Sequence, residues 1–484
     1  MRLDKKVLLI NIIICIILEA ALFLVLGGKA GLFTTAIGIL AIPICIILVN
    51  LMLISLENSI LIFTFLVPMI PITGYLMNRA KMLDYQWIVY SIFYIGTLLI
   101  MLKHKVFKNI NRDKLVIKNK IIKSILIILL IINIIFAYNK QLSFMIITLS
   151  FLPFIIFFYI IGAINLRDRE RFYEKILISF VLGCIISSAP DILQFILTWI
   201  QGNKNIRLFG PLGSNFILSY FLLAYVLVLN KWVKENGWKN IWTIIVLTMS
   251  FIISMQMSRG ALLSFVAIFI AYIIFNIKNW KKYVAVFLVF GGILSYNVTS
   301  RSDVANDESI KELQEMIVAD NIDRKNLEDV QIGGVLAKII KSQSKTRQIL
   351  WETGILVTND YKYTGVGAGN FKYFFNEYSG TNKGYSDSHN ILINMSSELG
   401  LPFMIVSLIL LLIITIESLI KFFRERNKKI KLNYLSLLII MGVILLYGNL
   451  TGMNFYNINQ IYSFTPTFMI LFVLFYRDNI NEFM

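Results

Sequence analysis

The sequence predicts an all-α polytopic membrane protein with about 14 (12–14) transmembrane helices and one large, partly helical extracytoplasmic loop. The first observation is composition, because 57% of the 484 residues are hydrophobic and only 15% are charged. The second is that apolar runs of about 20 residues, long enough to cross ~30 Å of hydrocarbon as helices, recur along the chain. Lipid offers the backbone no hydrogen-bond partners, so these runs are predicted to be helices.

The predicted helices divide the chain into three parts. Residues 1–297 form an N-terminal transmembrane part of about eleven helices, residues 298–396 form the large loop, and residues 397–484 add about three helices. The first helix is predicted to be retained, because its segment lacks a small-residue cleavage site and Glu19 interrupts its apolar core. The predicted spans lie near residues 7–26, 32–55, 59–77, 84–102, 121–137, 142–162, 175–199, 212–230, 240–257, 261–277, 283–298, 397–420, 433–450 and 458–476.

The distribution of Lys and Arg predicts the orientation. One set of alternating gaps, with both termini, holds about 28 of the 46 basic residues, whereas the short gaps of the other set hold about seven. Both termini are therefore predicted to be cytoplasmic, and the large loop extracytoplasmic, in a cytoplasmic membrane. Within the loop, helices are predicted over Asp307–Asp320 and Val335–Leu356, and glycines mark turns after them.

The charge and the cysteines exclude two kinds of function. The net charge of +18 arises from residues in the gaps between apolar runs, which is typical of topology signals, so we expect no nucleic-acid partner. Cys15, Cys45 and Cys184 lie inside apolar runs without CxxC spacing, so neither a disulfide nor a metal site is predicted. The loop also has no Asp-x-Asp pair of the kind that would hold a divalent ion against pyrophosphate.

Four residues could support chemistry on the predicted outer face. His389, in the large loop, is suited to act as a general base near neutral pH. The alternative is that it only flanks a helix capped by Asp387 or Ser388. Three arginines on the same face, Arg207, Arg259 and Arg347, indicate an anionic phosphate ligand, because guanidinium binds phosphate oxygens through paired donors.

These residues occur in motifs with a specific order and spacing. Together the motifs resemble the bacterial O-antigen ligase and O-antigen polymerase superfamily over roughly residues 200–405. They are Arg207-x-x-Gly210 with Asn215, Ser258-Arg259-Gly260, Arg347-x-x-x-Trp351, Gly365-Val366-Gly367-Ala368-Gly369-Asn370-Phe371, and Ser388-His389-Asn390 followed by Gly400.

The resemblance implies a GT-C-like, metal-independent glycosyltransferase without a cofactor. It would transfer a glycan from polyprenyl pyrophosphate to an acceptor hydroxyl, with inversion if the transfer is a single displacement. Its partners would be the lipid-linked oligosaccharide, membrane lipid, a flippase and a chain-length regulator. His389 would deprotonate the acceptor, and Arg347 and Arg207 would bind the pyrophosphate, with Arg259 a weaker candidate. Supporting roles are implied for Asn390, Asn215 and Trp351.

Polymerase and ligase activities differ only in the acceptor, which is another lipid-linked repeat unit for a polymerase and lipid A-core or a protein for a ligase. A Lys-, Ile- and Asn-rich composition, typical of AT-rich genomes that often lack an outer membrane, favours a surface-polysaccharide (O-antigen or capsule) polymerase. A transporter or flippase is disfavoured, because carriers usually need charged residues in the middle of several helices. Here Asp191 is the plausible case, while Glu19 and Glu417 lie nearer to helix ends. A non-catalytic scaffold would leave His389 and the arginines unexplained.

Two features leave their interpretation open. The aromatic tract from Tyr361 to Tyr385 could stack on sugar rings or form an interfacial belt. Asp191 could line a cavity, or its helix could end near Pro190 and expose it to solvent. The second explanation of Asp191 is slightly favoured.

Overall fold

The structure is a computed structural model that describes residues 50–52, 54–69, 99, 102–104, 119–163, 169–200, 215–235, 240–255, 259–275, 280–305, 345–380, 387–451 and 464–478. Every element of regular structure in these ranges is a helix. The helices are α1 (Leu56–Leu66), α2 (Lys120–Phe136), α3 (Lys140–Ala163), α4 (Arg169–Ile200), α5 (Asn215–Lys234), α6 (Ile241–Ser254), α7 (Arg259–Phe275), α8 (Trp280–Ala305), α9 (Lys345–Asp360), α10 (Phe371–Ser379), α11 (Ile391–Asn394), a π-helix (Met395–Leu399), α12 (Leu401–Arg424), α13 (Lys428–Thr451) and α14 (Phe464–Asp478).

The chain forms two compact units, of which the first comprises residues 1–112 and 163–184. Within it α1 packs closely on the first part of α4. The Ser179 hydroxyl donates to the carbonyl of Leu61 at 2.6 Å, and a side chain at Gly183 would place its Cβ 2.2 Å from the carbonyl oxygen of Phe65. The glycine therefore allows the two helix backbones to touch.

The second unit comprises residues 113–162 and 185–484, and α5 is its central helix. α5 packs against α6, α7, α13 and α14, and its residues from Tyr220 to Val233 are buried on every side. A helix that is apolar all round belongs in a core. Two of its buried polar side chains form hydrogen bonds to neighbouring helices: Tyr225 bonds Ser250 at 2.6 Å, and Asn230 donates to Asn433 at 2.8 Å.

Three of the described helices are long and apolar enough to cross a membrane: Glu170–Ala189, Leu401–Arg424 and Lys428–Asn449. Shorter apolar helices cover Leu56–Met69, Ile241–Ser254 and Gly260–Phe275. A polytopic membrane protein is therefore supported, while the number of spans and a GT-C-like fold stay predictions. The predicted spans near 7–26 and 84–102, most of 32–55 and the predicted helix 307–320 lie outside the described residues.

The predicted helix bounds agree with the described helices within a few residues for most elements, and two differences concern function. α4 continues through Pro190 to Ile200, so the explanation that its helix ends early and exposes Asp191 is wrong. α8 continues to Ala305, beyond residue 298 where the large loop was predicted to begin. In both cases an apolar stretch gives way to polar residues without ending the helix.

Candidate functional site

The site is centred on His389, which sits in a tight turn held by Asp387. The backbone of His389 is left-handed, with φ of 53°, and its amide donates to Oδ1 of Asp387 at 2.7 Å. The same carboxylate oxygen bonds Nδ1 of the imidazole. Asp387 thereby fixes Nδ1 as the protonated nitrogen of the neutral ring, so Nε2 is the nitrogen that can accept a proton.

The electrostatics of His389 combine opposing effects. Burial lowers the pKa of the imidazole, but the hydrogen bond and negative charge of Asp387 raise it, while the positive charge of Arg347 lowers it. The contribution of Asp387 prevails, so the pKa lies above its ordinary value of 6.5. The side chain of His389 is 36% exposed and that of Asp387 is 3% exposed, so the imidazole is accessible to solvent while the carboxylate bonded to it is buried.

The residues that follow His389 start a helix. Its cap is not Asp387 or Ser388, the two residues that one interpretation of the sequence named as the cap. Asn390 is the N-cap of α11, because its Oδ1 accepts from the amides of Leu392 and Ile393 at 3.0 and 3.1 Å. Ser388 is instead bound to Asn394, whose Oδ1 accepts from its amide and its hydroxyl, each at 2.7 Å. The turn is therefore held by the bonds of Asp387 to His389 and by the bonds of Ser388 to Asn394.

One face of α9 packs against this turn. Arg347, Trp351, Gly354 and Thr358 recur at spacings of three and four residues and therefore lie on the same side of the helix. A Cβ at Gly354 would lie 2.2 Å from Cγ2 of Ile393 and 3.4 Å from Cβ of Ser388. Thr358 bonds Ser396 at 3.0 Å. This packing brings Arg347 close enough for its charge to act on His389.

A glycine loop, Gly365–Asn370, packs against the π-helix that follows His389. Its amides donate to the π-helix after His389, from Val366 to the carbonyl of Ser397 and from Gly367 to that of Glu398, both at 2.9 Å. Gly365 has φ of 67°, and a Cβ there would lie 2.3 Å from the carbonyl oxygen of Glu398. The sequence indicated turns at these glycines; the structure adds that they permit backbone-to-backbone contact.

Asn133, in the apolar helix α2, is a site residue that sequence reasoning missed. It is 1% exposed, and its amide nitrogen donates to the carbonyls of Thr364 and Glu398 at 2.6 and 2.7 Å. Its Oδ1 accepts from the amide of Ala368 at 3.3 Å. The available signal was an amide side chain inside an otherwise apolar run, since such groups need buried partners.

Glu398 was also missed. It is fully buried, and its carboxylate accepts from the amide of Phe371 at 3.0 Å, which satisfies a backbone donor at the start of α10. In the described ranges, no group of three or more His, Cys, Asp or Glu side chains could hold a metal ion. Metal independence itself stays a prediction.

The remaining predicted site residues are placed less completely. Arg207 lies outside the described residues. Arg259 begins α7 and Asn215 begins α5, but the side chains of both are outside the description. The structure therefore brings together Arg347, Trp351, His389 and Asn390, and it leaves the other two arginines as predictions.

Part of the aromatic tract forms a cluster around the buried ring of Phe374. Tyr138, just after α2, contacts Phe374 at 5.1 Å and Tyr373 at 5.7 Å between ring centroids, and Tyr361 contacts Phe374 at 5.2 Å. Tyr138 is 69% exposed and continues the exposed apolar face of α2, which ends in Phe136. This continuity favours the interfacial belt over sugar stacking for this cluster.

Part of the chain matches the model of a known protein family. Residues 244–408 match the family model described as O-antigen ligase, a range that includes Arg259, Arg347, Trp351 and His389. No curated protein matches the chain. The matched segment contains the histidine held by Asp387 and the arginine that acts on it, and it is similar to the O-antigen ligase family.

Proposed function

We propose that the protein is a membrane glycosyltransferase that moves a glycan from polyprenyl pyrophosphate to an acceptor hydroxyl on the outer face of the cytoplasmic membrane. The observation that carries the proposal is the pairing of His389 with Asp387 within electrostatic range of Arg347. A base and a cation within electrostatic range of each other suit a reaction in which one group loses a proton and another leaves as an anion.

In the proposed reaction His389 takes the proton of the acceptor hydroxyl on Nε2. The acceptor oxygen forms a bond to the anomeric carbon as the bond from that carbon to the pyrophosphate oxygen breaks. The electron pair of the broken bond stays on the pyrophosphate, which leaves with the polyprenyl chain. Arg347 stabilises the negative charge that develops there, and Asp387 stabilises the imidazolium that forms. A single displacement of this kind inverts the anomeric configuration.

Arg207 and Arg259 are proposed as further pyrophosphate-binding residues, because both precede helices on the predicted outer face. Asn390 supports the reaction through the backbone, since it caps the helix that follows His389. The acceptor is proposed to be a second lipid-linked repeat unit, which makes the protein a polysaccharide polymerase. The alternative is a ligase that uses lipid A-core or a protein as acceptor.

The test uses purified protein in nanodiscs with a polyprenyl-pyrophosphate-linked repeat unit and a chelator. We expect a glycan ladder from the wild type and at least a hundredfold slower product formation by His389→Ala and Arg347→Ala. His104→Ala, the other histidine of the chain, and Arg424→Ala, an exposed arginine at the end of α12, are the matched controls.

The outcomes separate the alternatives. Product that forms only after lipid A-core or an acceptor protein is added indicates a ligase in place of a polymerase. Activity of His389→Ala equal to that of His104→Ala would show that His389 is not the base, and the glycosyltransferase mechanism proposed here would fail.

A further inference from the structure

Trp351 carries a buried hydrogen-bond donor for which the described part of the chain offers no acceptor. The residue is 7% exposed, and its ring packs with Leu350, Phe371 and Phe375. Its indole Nε1 is fully covered, and none of the described residues accepts a hydrogen bond from it. Buried donors in native proteins are almost always paired, so an unpaired one calls for an explanation.

Other indoles of this chain show the ordinary arrangement. Nε1 of Trp232 donates to Oγ1 of Thr243 at 2.9 Å, and Nε1 of Trp242 donates to Oε1 of Glu235 at 2.9 Å. Trp232 lies near the end of α5, and Trp242 lies near the start of α6. Among the tryptophans whose side chains the structure describes, the one with a buried indole nitrogen and no partner is Trp351, beside the candidate site.

The position of Trp351 links its donor to that site. It follows Arg347 by four residues and precedes Gly354 by three, so it shares the face of α9 that packs against Ser388 and Ile393. The indole therefore lies one helical turn from the guanidinium, on the side of the helix that faces the His389 turn.

We infer that the indole N–H of Trp351 donates to an oxygen of the substrate's diphosphate group, next to the bonds made by Arg347. An indole nitrogen can only donate, and a phosphate oxygen is an acceptor without a proton of its own at neutral pH. A sugar hydroxyl is a poorer match, because it brings a proton that also needs a partner. This inference rests on the proposed function, and it makes Trp351 a substrate-binding residue.

The variant Trp351→Phe removes the N–H and keeps an aromatic ring, and it is measured in two ways. Affinity for farnesyl pyrophosphate, a short lipid pyrophosphate, is expected to fall about tenfold, because one hydrogen bond to a charged acceptor is lost. The thermal unfolding midpoint of the ligand-free protein is expected to stay unchanged or rise, because the substitution removes an unpaired buried donor.

Trp232→Phe is the matched control, since it removes a donor that the protein does use. We expect the opposite pattern from it: a lower unfolding midpoint and unchanged affinity for farnesyl pyrophosphate. Inorganic pyrophosphate is measured beside the lipid form. A tenfold loss for both probes assigns the contact to the diphosphate, whereas a loss for the lipid form alone assigns the indole to the prenyl chain and overturns the inference.

Two further results would overturn it. One is equal affinity of Trp351→Phe and wild type for farnesyl pyrophosphate, and the other is a fall in the ligand-free unfolding midpoint like that of Trp232→Phe. His389→Ala separates this inference from the proposed function. If that variant binds farnesyl pyrophosphate normally but does not transfer glycan, the function stands whichever way Trp351→Phe behaves.

Discussion

The two ends of α2 take part in polar networks of different kinds. At its start, Lys123 pairs with Asp478 at 3.0 Å, Asp478 pairs with Arg477 at 2.9 Å, and Arg477 pairs with Glu417. Near its other end, Asn133 bonds backbone carbonyls and an amide of the loop and π-helix beneath His389. The first network joins helices through charges, and the second joins them through neutral groups.

The difference determines how each end responds to pH and salt. Ion pairs weaken when salt screens their charges or when their carboxylates are protonated. Hydrogen bonds between amides and carbonyls have no net charge to screen and no carboxylate to protonate. The hydrogen bonds described above that join the glycine loop to Asn133 and to the π-helix are between neutral groups. The exception nearby is the carboxylate of Glu398, which accepts from the amide of Phe371. We therefore expect the pH dependence of activity near neutrality to report the pair of His389 and Asp387, and not the scaffold.

The largest effect is expected from Asp387→Asn, which keeps an oxygen acceptor but removes the charge. Without that charge, burial and Arg347 both act to lower the pKa of His389. Turnover is expected to fall about a thousandfold, within the range for a weakened general base. Because the base stays neutral to lower pH, the acid limb of the pH–rate profile is expected to shift to lower pH.

The profile is measured for wild type and Asp387→Asn under saturating substrate. Wild-type activity is expected to rise with pH through the raised pKa of His389, since only the neutral ring accepts a proton. An acid limb that stays in place in Asp387→Asn would mean that another group titrates there.

A smaller effect, on stability, is expected from Gly365→Ala. A methyl group would meet the carbonyl of Glu398 at 2.3 Å, in a backbone conformation with φ of 67° that alanine rarely adopts. We expect a loss of about 3 kcal/mol in the free energy of unfolding and a loss of activity, because the glycine loop must move away from the π-helix.

Gly292→Ala is the control for this change. Gly292 lies inside α8 with nothing within 4 Å of its Cβ position, so alanine is expected to stabilise the helix by about 0.5–1 kcal/mol. The thermal unfolding midpoints of both variants give the comparison. Equal midpoints would show that the close contact beneath the site is not a constraint.

The smallest effect tests the two ends of α2 directly. Lys123→Met leaves Asp478 paired with Arg477, so we expect a loss below about 1 kcal/mol and unchanged activity. Asn133→Leu removes the partner of the Thr364 carbonyl and of the Ala368 amide, whereas the Glu398 carbonyl keeps the amide of Gly367, so we expect a loss of about 1–3 kcal/mol in total. Unfolding midpoints at low and high salt check both. The Lys123 effect is expected to become smaller at high salt and the Asn133 effect to persist, and the reverse pattern would contradict the comparison.

The sequence predicted the elements of the site better than the contacts between them. Helix periodicity and hydropathy are local properties, so the helix that contains Arg347, the glycine turns and most helix bounds could be predicted. The pairing of Asn133 with Glu398 spans 265 residues, and no local pattern encodes it. One interpretation of the sequence makes Asp387 or Ser388 the helix cap, because acceptor side chains before an apolar run usually cap it, but Asn390 occupies that position here.

The π-helix between His389 and α12 has a consequence for how the chain can vary in length. Asn390 fixes one end of this stretch as a helix cap, and Gly400, with φ of 89° against the carbonyl of Tyr363, fixes the other. Removing or adding one residue between them would turn the histidine by about 100° around the helix axis and shift it by about 1.5 Å. The stretch thus works as a spacer of set length, in which side chains can be exchanged more readily than residues can be inserted or deleted.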